Sequence, residues 1–218
     1  MNSFRAYALF CLLAAALAGC QHTSNPASFT RADPVLGSYV SAHTSGEISK
    51  TSPIRVVFAK PMVKQKLVGS NLDVAVLKTQ PRIPGELSWA DTRTLVLNPD
   101  GMLEPGAYYQ ADLDLTAFFK GLPLNMAVMP FSFRVRPRSL QIGVGHLQGS
   151  ADEGLLNQWL EGVIESSDFE ANEVIQPLLS VSLGAVDLPV DWVHAEGGLI
   201  HRFKVTGIKR GFEDQQLN

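Results

Sequence analysis

Apolar residues recur at every second position in several short stretches of this sequence, and this period of two constrains the fold more than any other feature. The clearest runs have apolar residues at positions 54, 56 and 58, at 109, 111, 113 and 115, and at 131, 133 and 135. Because successive side chains of a β-strand point to opposite faces, each run predicts a strand with one buried and one solvated face. Turn residues such as Pro84-Gly85 and Pro105-Gly106 separate the runs, and no long helical pattern lies between them. The sequence therefore predicts an antiparallel β-sandwich.

A second strand-rich unit is predicted to begin after Pro137-Arg138, with another alternating run at positions 140, 142 and 144. The stretch 155–163 fits either a helix face or the start of a strand that runs to Phe169, and the stretch 171–179 fits a short helical turn stopped by Pro177. Further strands are predicted at 180–183, 188–192 and 199–205, the last after a Gly197-Gly198 hairpin. The predicted fold class is all-β, with two tandem antiparallel β-sandwiches over residues 36–137 and 138–218.

The amino terminus has the layout of an export signal. Arg5 supplies a positive charge, and an almost unbroken apolar run follows from Ala6 to Leu17. A membrane-spanning helix needs about 20 apolar residues, so this run is too short to span a membrane and is typical of a secretory signal. The run ends in LAGC (17–20), which resembles the lipobox of bacterial lipoproteins, in which the cysteine becomes the lipidated amino terminus. The alternative is an ordinary secretory signal in which Cys20 occurs by chance.

The resemblance to a lipobox predicts firm membrane attachment through Cys20. Each buried methylene contributes about 0.8 kcal/mol and one acyl chain holds only marginally, whereas bacterial lipoproteins carry two or three chains. Residues 1–19 are then the signal peptide, and the polar stretch 20–35 is a flexible tether. Gln21 follows the cysteine, and by resemblance to enterobacterial sorting this favours the outer membrane over the inner one. We therefore expect a lipid-anchored protein of the bacterial cell envelope that faces the periplasm.

Composition excludes several kinds of site. The 218 residues are 45% apolar with a formal net charge of −3, so a sizeable core can form and nothing indicates nucleic-acid binding. The chain has 2 cysteines, which are Cys11 in the predicted signal and Cys20. The predicted folded part therefore has no thiol, which excludes a disulfide, a thiol nucleophile and a cysteine metal site there.

No familiar catalytic or nucleotide-binding motif occurs, so we expect no catalytic residue, no metal site and no cofactor. His194 and His201 could face each other across the predicted hairpin and bind zinc weakly, but two half-buried strand residues are the favoured interpretation. Asp112 and Asp114 share a strand face and could form a carboxylate pair, in which like charges raise one pKa. A solvated strand face is the favoured interpretation of these two aspartates.

Arginines and tryptophans form two further patterns. Arg134, Arg136 and Arg138 predict a basic stripe on one strand face. The stripe fits contact with lipid headgroups or with a partner, although a solvated face explains it as well and is favoured. The tryptophans at positions 89, 159 and 192 are predicted to be core anchors, because large aromatic residues dominate burial in small sandwiches.

Six stretches spread over roughly residues 36 to 211 are shared with a known family. They read GEISKTSPIRVVFAKPM (46–62), GELSW (85–89), DTRTLVLNP (91–99), LEPGAYY (103–109), LPVDW (188–192) and HRFKVTGIKRG (201–211). Together they resemble the amino-terminal region of bacterial alpha-2-macroglobulin-like lipoproteins. The first block, which comprises the stretches between residues 46 and 109, is also similar to bacterial Ig-like domains in general. The resemblance implies tandem macroglobulin-type β-sandwich domains on a lipid anchor.

The resemblance also implies a function and a limit to it. Complete members of that family are many times longer and trap proteases in the periplasm, through a bait region and, in many members, a thioester. No Cys-x-Glu-Gln thioester is possible here, because no cysteine follows Cys20. The resemblance therefore implies a truncated or fragmentary amino-terminal part of such an endopeptidase inhibitor, unable to trap proteases by itself. Its second domain would lack a closing strand, and we expect residues 138–218 to be less stable than 36–137.

Partners and competing functions follow from these expectations. The membrane is the expected partner through Cys20, and periplasmic proteins or proteases are expected only if the chain is part of a longer protein. No nucleic-acid partner is expected. The leading hypothesis is a non-enzymatic, lipid-anchored scaffold. A stand-alone Ig-like envelope binding or adhesion module is the first alternative, and a small envelope hydrolase with an unrecognised site is the second.

Overall fold

The computed structural model describes residues 35–149, 156–211 and 216–217. The predicted signal peptide, Cys20 and all but the last residue of the predicted tether lie outside the described residues. In the first half the strands are β1 (Val40–His43), β2 (Gly46–Ile48), β3 (Ile54–Phe58), β4 (Asn71–Leu72), β5 (Leu77–Gln80), β6 (Gly85–Trp89), β7 (Thr94–Pro99), β8 (Tyr108–Asp114) and β9 (Val128–Val135). Short 3-10 turns join several of them. Among the described residues, no helix is long and apolar enough to cross a membrane.

These nine strands form a two-layer sandwich, which confirms the predicted all-β class. One sheet has the order β1-β3-β7-β6-β4 and the other has the order β2-β9-β8-β5. The expectation of purely antiparallel pairing is wrong at one place, because β2 pairs with β9 in parallel. Only Thr44 and Ser45 separate β1 from β2, and there the chain passes from one sheet to the other. Gly46 allows this passage, since its φ of 71° is one that other residues rarely adopt.

The sandwich core consists of the residues that the period of two placed inside. Ile54, Val56 and Phe58 of β3 are each 0% exposed. The inward residues of β8 and β9 meet them from the opposite sheet: Tyr109, Ala111, Leu113, Phe131, Phe133 and Val135. Burying one such side chain stabilises the fold by about 1.5–3 kcal/mol. This alternation therefore accounts for both the strands and the packing of the two sheets.

Among the described residues, the second unit has a main sheet of five strands, with a cover on part of one face, and a separate two-stranded sheet. Its elements are β10 (Leu140–Val144), β11 (Gln148–Gly149), β12 (Asn157–Ser166), α1 (Asn172–Ile175), β13 (Ser182–Leu183), β14 (Val186–Asp187), β15 (Val190–His194) and β16 (Ile200–Lys209). The main sheet has the order β10-β12-β16-β15, with β11 also on β12. The ambiguous stretch is therefore a strand, whereas the short helical turn before Pro177 is confirmed.

The second core is much smaller than the first. Its buried members are Ile164, Ile175, Val181, Phe203, Val205 and Ile208. They come from β12, from β16 and from the segment that carries α1. This segment packs on one face of the main sheet and is the cover. This difference agrees with the expected order of stability, but the domain bounds and the lower stability of residues 138–218 stay predictions.

Two burial predictions in the second unit are wrong. All five residues of β10 are exposed, including Ile142 at 57% and Val144 at 59%, because the cover reaches β12, β15 and β16 but not β10. Trp159 belongs to neither core, and the Lys204 Nζ lies 4.1 Å from the centroid of its ring. Trp89, by contrast, is buried in the first core, and Trp192 packs against the second.

Candidate functional site

Buried charges meet where the first sandwich contacts the second unit. Lys50 lies in the turn after β2 and is 7% exposed, and Glu170 lies between β12 and α1 and is 4% exposed. The Lys50 Nζ is 3.0 Å from the Glu170 Oε1. Arg138, in the connection between β9 and β10, donates to both carboxylate oxygens of Glu170, through Nε at 3.0 Å and Nη2 at 3.1 Å. Two-point bonding of this kind is among the stronger charge-assisted contacts.

Asp168 adds a second carboxylate to this contact. It accepts hydrogen bonds from the Ser49 hydroxyl at 2.6 Å, the Lys50 backbone N–H at 2.7 Å and the Phe169 N–H at 2.8 Å. Burial acts to raise the pKa of Asp168, but the hydrogen bonds from Ser49, Lys50 and Phe169 together outweigh it and hold the pKa below the usual value. We call Ser49, Lys50, Arg138, Asp168 and Glu170 the junction cluster. It is a set of satisfied charges that ties the two units together.

Two arginines of the predicted stripe lie beyond the end of β9 and contact the junction, while their side chains stay partly solvated. The Arg136 Nη1 donates to the Ser167 carbonyl at 3.0 Å, and its Nε lies 3.1 Å from the Glu47 Oε1. With Arg138 bound to Glu170, two of the three arginines contact groups of the junction. Their side chains are also 42% and 44% exposed, so both the solvated and the contacting interpretation apply to these two residues. The sequence carried no signal for the pairing, because strand periodicity says nothing about which loops meet.

The two predicted carboxylates of β8 do not act as a pair. Asp112 is exposed at the surface of β8. Asp114 accepts from both the backbone N–H and the hydroxyl of Thr116, at 2.9 Å and 2.5 Å. These bonds lower the pKa of Asp114, with the Thr116 hydroxyl as the main cause, which is opposite to the rise expected of paired carboxylates. The two residues are a solvated strand face and a turn cap.

The structure brings His194 and His201 together across β15 and β16, as the hairpin predicted. Their Nδ1 atoms are 2.8 Å apart, so one ring donates and the other accepts. The Gln176 side-chain nitrogen lies 3.0 Å from the Nε2 of His194, and Trp192 stacks on the His194 ring at 5.6 Å between centroids. His201 is 0% exposed rather than half-buried, and its Nε2 has no hydrogen-bond partner within the described part of the chain.

The geometry of the histidine pair does not favour zinc binding. Within residues 35–149, 156–211 and 216–217, no group of three or more histidine, cysteine, aspartate or glutamate side chains could hold a metal ion. The two Nδ1 atoms also bond to each other, which occupies one lone pair. The arrangement instead keeps a neutral imidazole inside the second core.

The buried imidazole predicts that the second unit loses stability on mild acidification. Burial lowers the pKa of His201, the nearby His194 lowers it further, and Gly198 and Glu170 act in the opposite direction. Between this lowered pKa and the ordinary value near 6.5, the unfolded chain binds more protons than the folded chain. The free energy of unfolding should therefore fall as pH drops from 7 through this range, and then level off. Denaturant unfolding followed by circular dichroism at several pH values measures this.

The variant His201→Leu should flatten that pH dependence, since the titrating group is gone. His146→Ala is the matched control, because His146 is exposed in the loop after β10. An unchanged pH slope in His201→Leu would contradict the assignment.

The outer face of the second sheet carries an open groove of about 700 Å³. Its central row pairs Gly143, Val163, Arg202 and Val193 across four neighbouring strands. The lining combines apolar Val163, Val193 and Ile200 with acidic Glu161, Glu165 and Asp191 and basic Arg202 and Lys204. Sequence reasoning did not find this groove, because it forms only when the four strands lie side by side.

Comparison with known proteins supports the fold more than the function. The family of bacterial Ig-like domains matches residues 30–134. No curated protein matches the chain. Among solved structures, L,D-transpeptidase 3 from Mycobacterium tuberculosis is 12% identical with a TM-score of 0.31, covering 73% of this chain and 60% of that one. An L,D-transpeptidase from Mycobacterium tuberculosis H37Rv is 11% identical with a TM-score of 0.33, covering 73% and 61%.

The solved structures have no bearing on activity at these identities and TM-scores, and this chain spans only about three-fifths of their length. None of these matches is an alpha-2-macroglobulin-like lipoprotein, so that resemblance stays a prediction. Residues 30–134 are similar to bacterial Ig-like domains in sequence, and the two-sheet sandwich seen there agrees with it. The chain therefore carries an Ig-like, all-β sandwich in its first half.

Proposed function

We propose that this chain is a non-enzymatic, lipid-anchored scaffold of the bacterial cell envelope. The observation that carries the proposal is the junction cluster. Removing one partner of a buried ion pair leaves an uncompensated charge, which is strongly unfavourable. The bonds of Glu170 to Lys50 and Arg138 therefore oppose bending between the sandwich and the second unit. A fixed orientation of the two units suits a scaffold that presents them as one rigid body at the end of its tether.

The finer proposal comes from the family resemblance. In it, the scaffold is the amino-terminal part of an alpha-2-macroglobulin-like endopeptidase inhibitor and does not trap proteases by itself. The second candidate is a stand-alone Ig-like envelope binding or adhesion module. The match of residues 30–134 to bacterial Ig-like domains and the open groove on the second sheet favour that candidate.

The anchor is tested directly at Cys20. In a bacterial host supplied with an alkyne analogue of palmitate, the full chain should be labelled and should sediment with membranes. Cys20→Ala should abolish labelling and release the protein from the membrane fraction, because the thiol that carries the lipid is gone. Mass spectrometry of the mature amino terminus should show a diacylglyceryl group on Cys20.

Cys11→Ala is the matched control, since Cys11 lies inside the predicted signal and is removed with it. It should leave labelling and sedimentation unchanged. Equal labelling of the wild type and of Cys20→Ala would refute the anchor, as would a mature amino terminus without lipid.

A further inference from the structure

We propose that the free edge of β10 is a binding site for an extended segment of another protein, with apolar residues on one face and lysine or arginine on the other. The segment would add a strand to the second sheet by β-augmentation, in which main-chain hydrogen bonds supply affinity and alternate side chains supply specificity. This inference concerns the second unit alone and does not depend on the proposed lipid anchor.

The first support is the hydrogen-bonding direction of β10. The Ser167 N–H donates to the Ser139 carbonyl at 2.9 Å, and the Gly145 N–H donates to the Glu161 carbonyl at 2.8 Å. In an antiparallel pair, alternate residues bond to the same neighbour. The odd-numbered residues of β10 therefore face β12, and Leu140, Ile142 and Val144 direct their N–H and C=O groups away from it. Within the described ranges, β12 is the only strand that pairs with β10.

The second support is that, among the residues the structure describes, the edge carries none of the usual protection against pairing. Natural sheets block their edges with lysine, proline, bulges or a covering loop. The sequence of β10, LQIGV, contains no charge and no proline, and all five residues are exposed. Its pairing with β12 has continuous register from Leu140 to Val144, without a bulge. An uncovered, flat edge of this kind is suited to accept a strand.

The third support is a row of exposed apolar side chains on the inner face of β10, which determines which side chains the added strand must carry there. Leu140, Ile142 and Val144 share this face with Ile164, which belongs to the second core. Their side chains are 38%, 57% and 59% exposed. A strand added beside β10 would place alternate side chains next to this apolar row. Those side chains must be apolar to bury it.

The outer face selects the opposite kind of side chain. On this face β10 presents Gln141 opposite Glu165 and Gly143 opposite Val163. Gly145, just after β10, lies opposite Glu161, whose Oε1 is 4.0 Å from the Lys204 Nζ. Neighbouring strands lie about 4.8 Å apart, so an added strand would lie about 10 Å from β12. Long lysine or arginine side chains can reach Glu161 across Gly145 and can reach Glu165 beside the uncharged Gln141. A second copy of β10 would offer only Gln141 and Gly143 there, so the charge pattern favours a basic partner strand over self-association.

The test uses the full chain and a fluorescent octapeptide in which lysine and valine alternate. Anisotropy should show binding at least tenfold tighter than for the same peptide with glutamate in place of lysine. Hydrogen exchange should slow at the amides of Leu140, Ile142 and Val144, which point outward. The amides of Gln141 and Gly143 should change little, because they already face β12.

Two variants test whether the peptide binds at this edge and through these carboxylates. Ile142→Pro should abolish binding and keep the circular dichroism spectrum, because the N–H that it removes points outward and edge strands tolerate proline. Glu165→Lys, a surface change that should leave folding intact, should reverse the preference toward the glutamate peptide. Glu173→Lys on α1 is the matched control and should change nothing, since Glu173 is exposed outside the groove.

Equal binding of both peptides, or exchange that is unaltered at the three outward amides, would overturn the proposal. Concentration-dependent dimers that protect these same amides without peptide would also overturn it, in favour of a second copy of the chain.

Discussion

Replacing Glu170 by glutamine is expected to lower the free energy of unfolding by about 3–5 kcal/mol, the range found when one partner of a buried ion pair is removed. Glu170→Gln keeps the shape of the side chain but leaves Lys50 as a buried, uncompensated charge. Arg138 loses its two-point acceptor as well. Chemical denaturation of the full chain, followed by circular dichroism, measures the loss.

Two further variants show whether burial of the charge is the cause. Glu161→Gln removes a carboxylate of an exposed pair, whose Oε1 lies 4.0 Å from the Lys204 Nζ, and should cost at most about 1 kcal/mol. Lys50→Met combined with Glu170→Gln should recover part of the loss, because no unpaired buried charge then remains. If Glu170→Gln cost no more than Glu161→Gln, the junction cluster would not hold the units together.

Truncation of Phe58 is expected to have a similarly large effect. The side chain is 0% exposed, and its ring centroid lies 4.8 Å from that of Phe118 and 5.7 Å from that of Trp89. Phe58→Ala should destabilise the first sandwich by about 3–5 kcal/mol, since it removes the buried ring and leaves a cavity. Differential scanning calorimetry should show a lower melting temperature for the transition of that sandwich.

Leu124→Ala is the control for this truncation. Leu124 is 97% exposed in a short 3-10 turn, so its removal should change the free energy of unfolding by about 0.5 kcal/mol or less. A loss for Phe58→Ala as small as that of Leu124→Ala would contradict the packing of the two sheets around Phe58.

The strands of the first sandwich could be predicted because the information is local. The side chains of Ile54, Val56 and Phe58 follow the pleat of one strand, whichever strands lie beside it. The same pattern misled at β10, since alternation tells which residues share a face but not whether anything covers that face. Ile142 therefore fits the alternating pattern of core residues, although its side chain is exposed.

The junction cluster could not be predicted for a different reason. The backbone N–H of Lys50 bonds to Asp168, which is 118 positions away along the sequence, and both lie in connections rather than in patterned strands. The histidine pair could be predicted in part. The Gly197-Gly198 turn placed His194 opposite His201, but full burial of His201 depends on the cover from α1, whose docking the sequence did not reveal.

The ion pair of Lys50 also sets an order of events during synthesis. The chain is made, and by our proposal exported, amino terminus first, so all strands of the first sandwich become available for folding before residue 170 does. Until then, the ammonium of Lys50 lacks the carboxylate that pairs with it in the folded structure. The sandwich can complete its own hydrogen-bond ladders early, but this corner of it reaches its final state only when Glu170 arrives. The second half of the chain thus supplies the last contact of the first half.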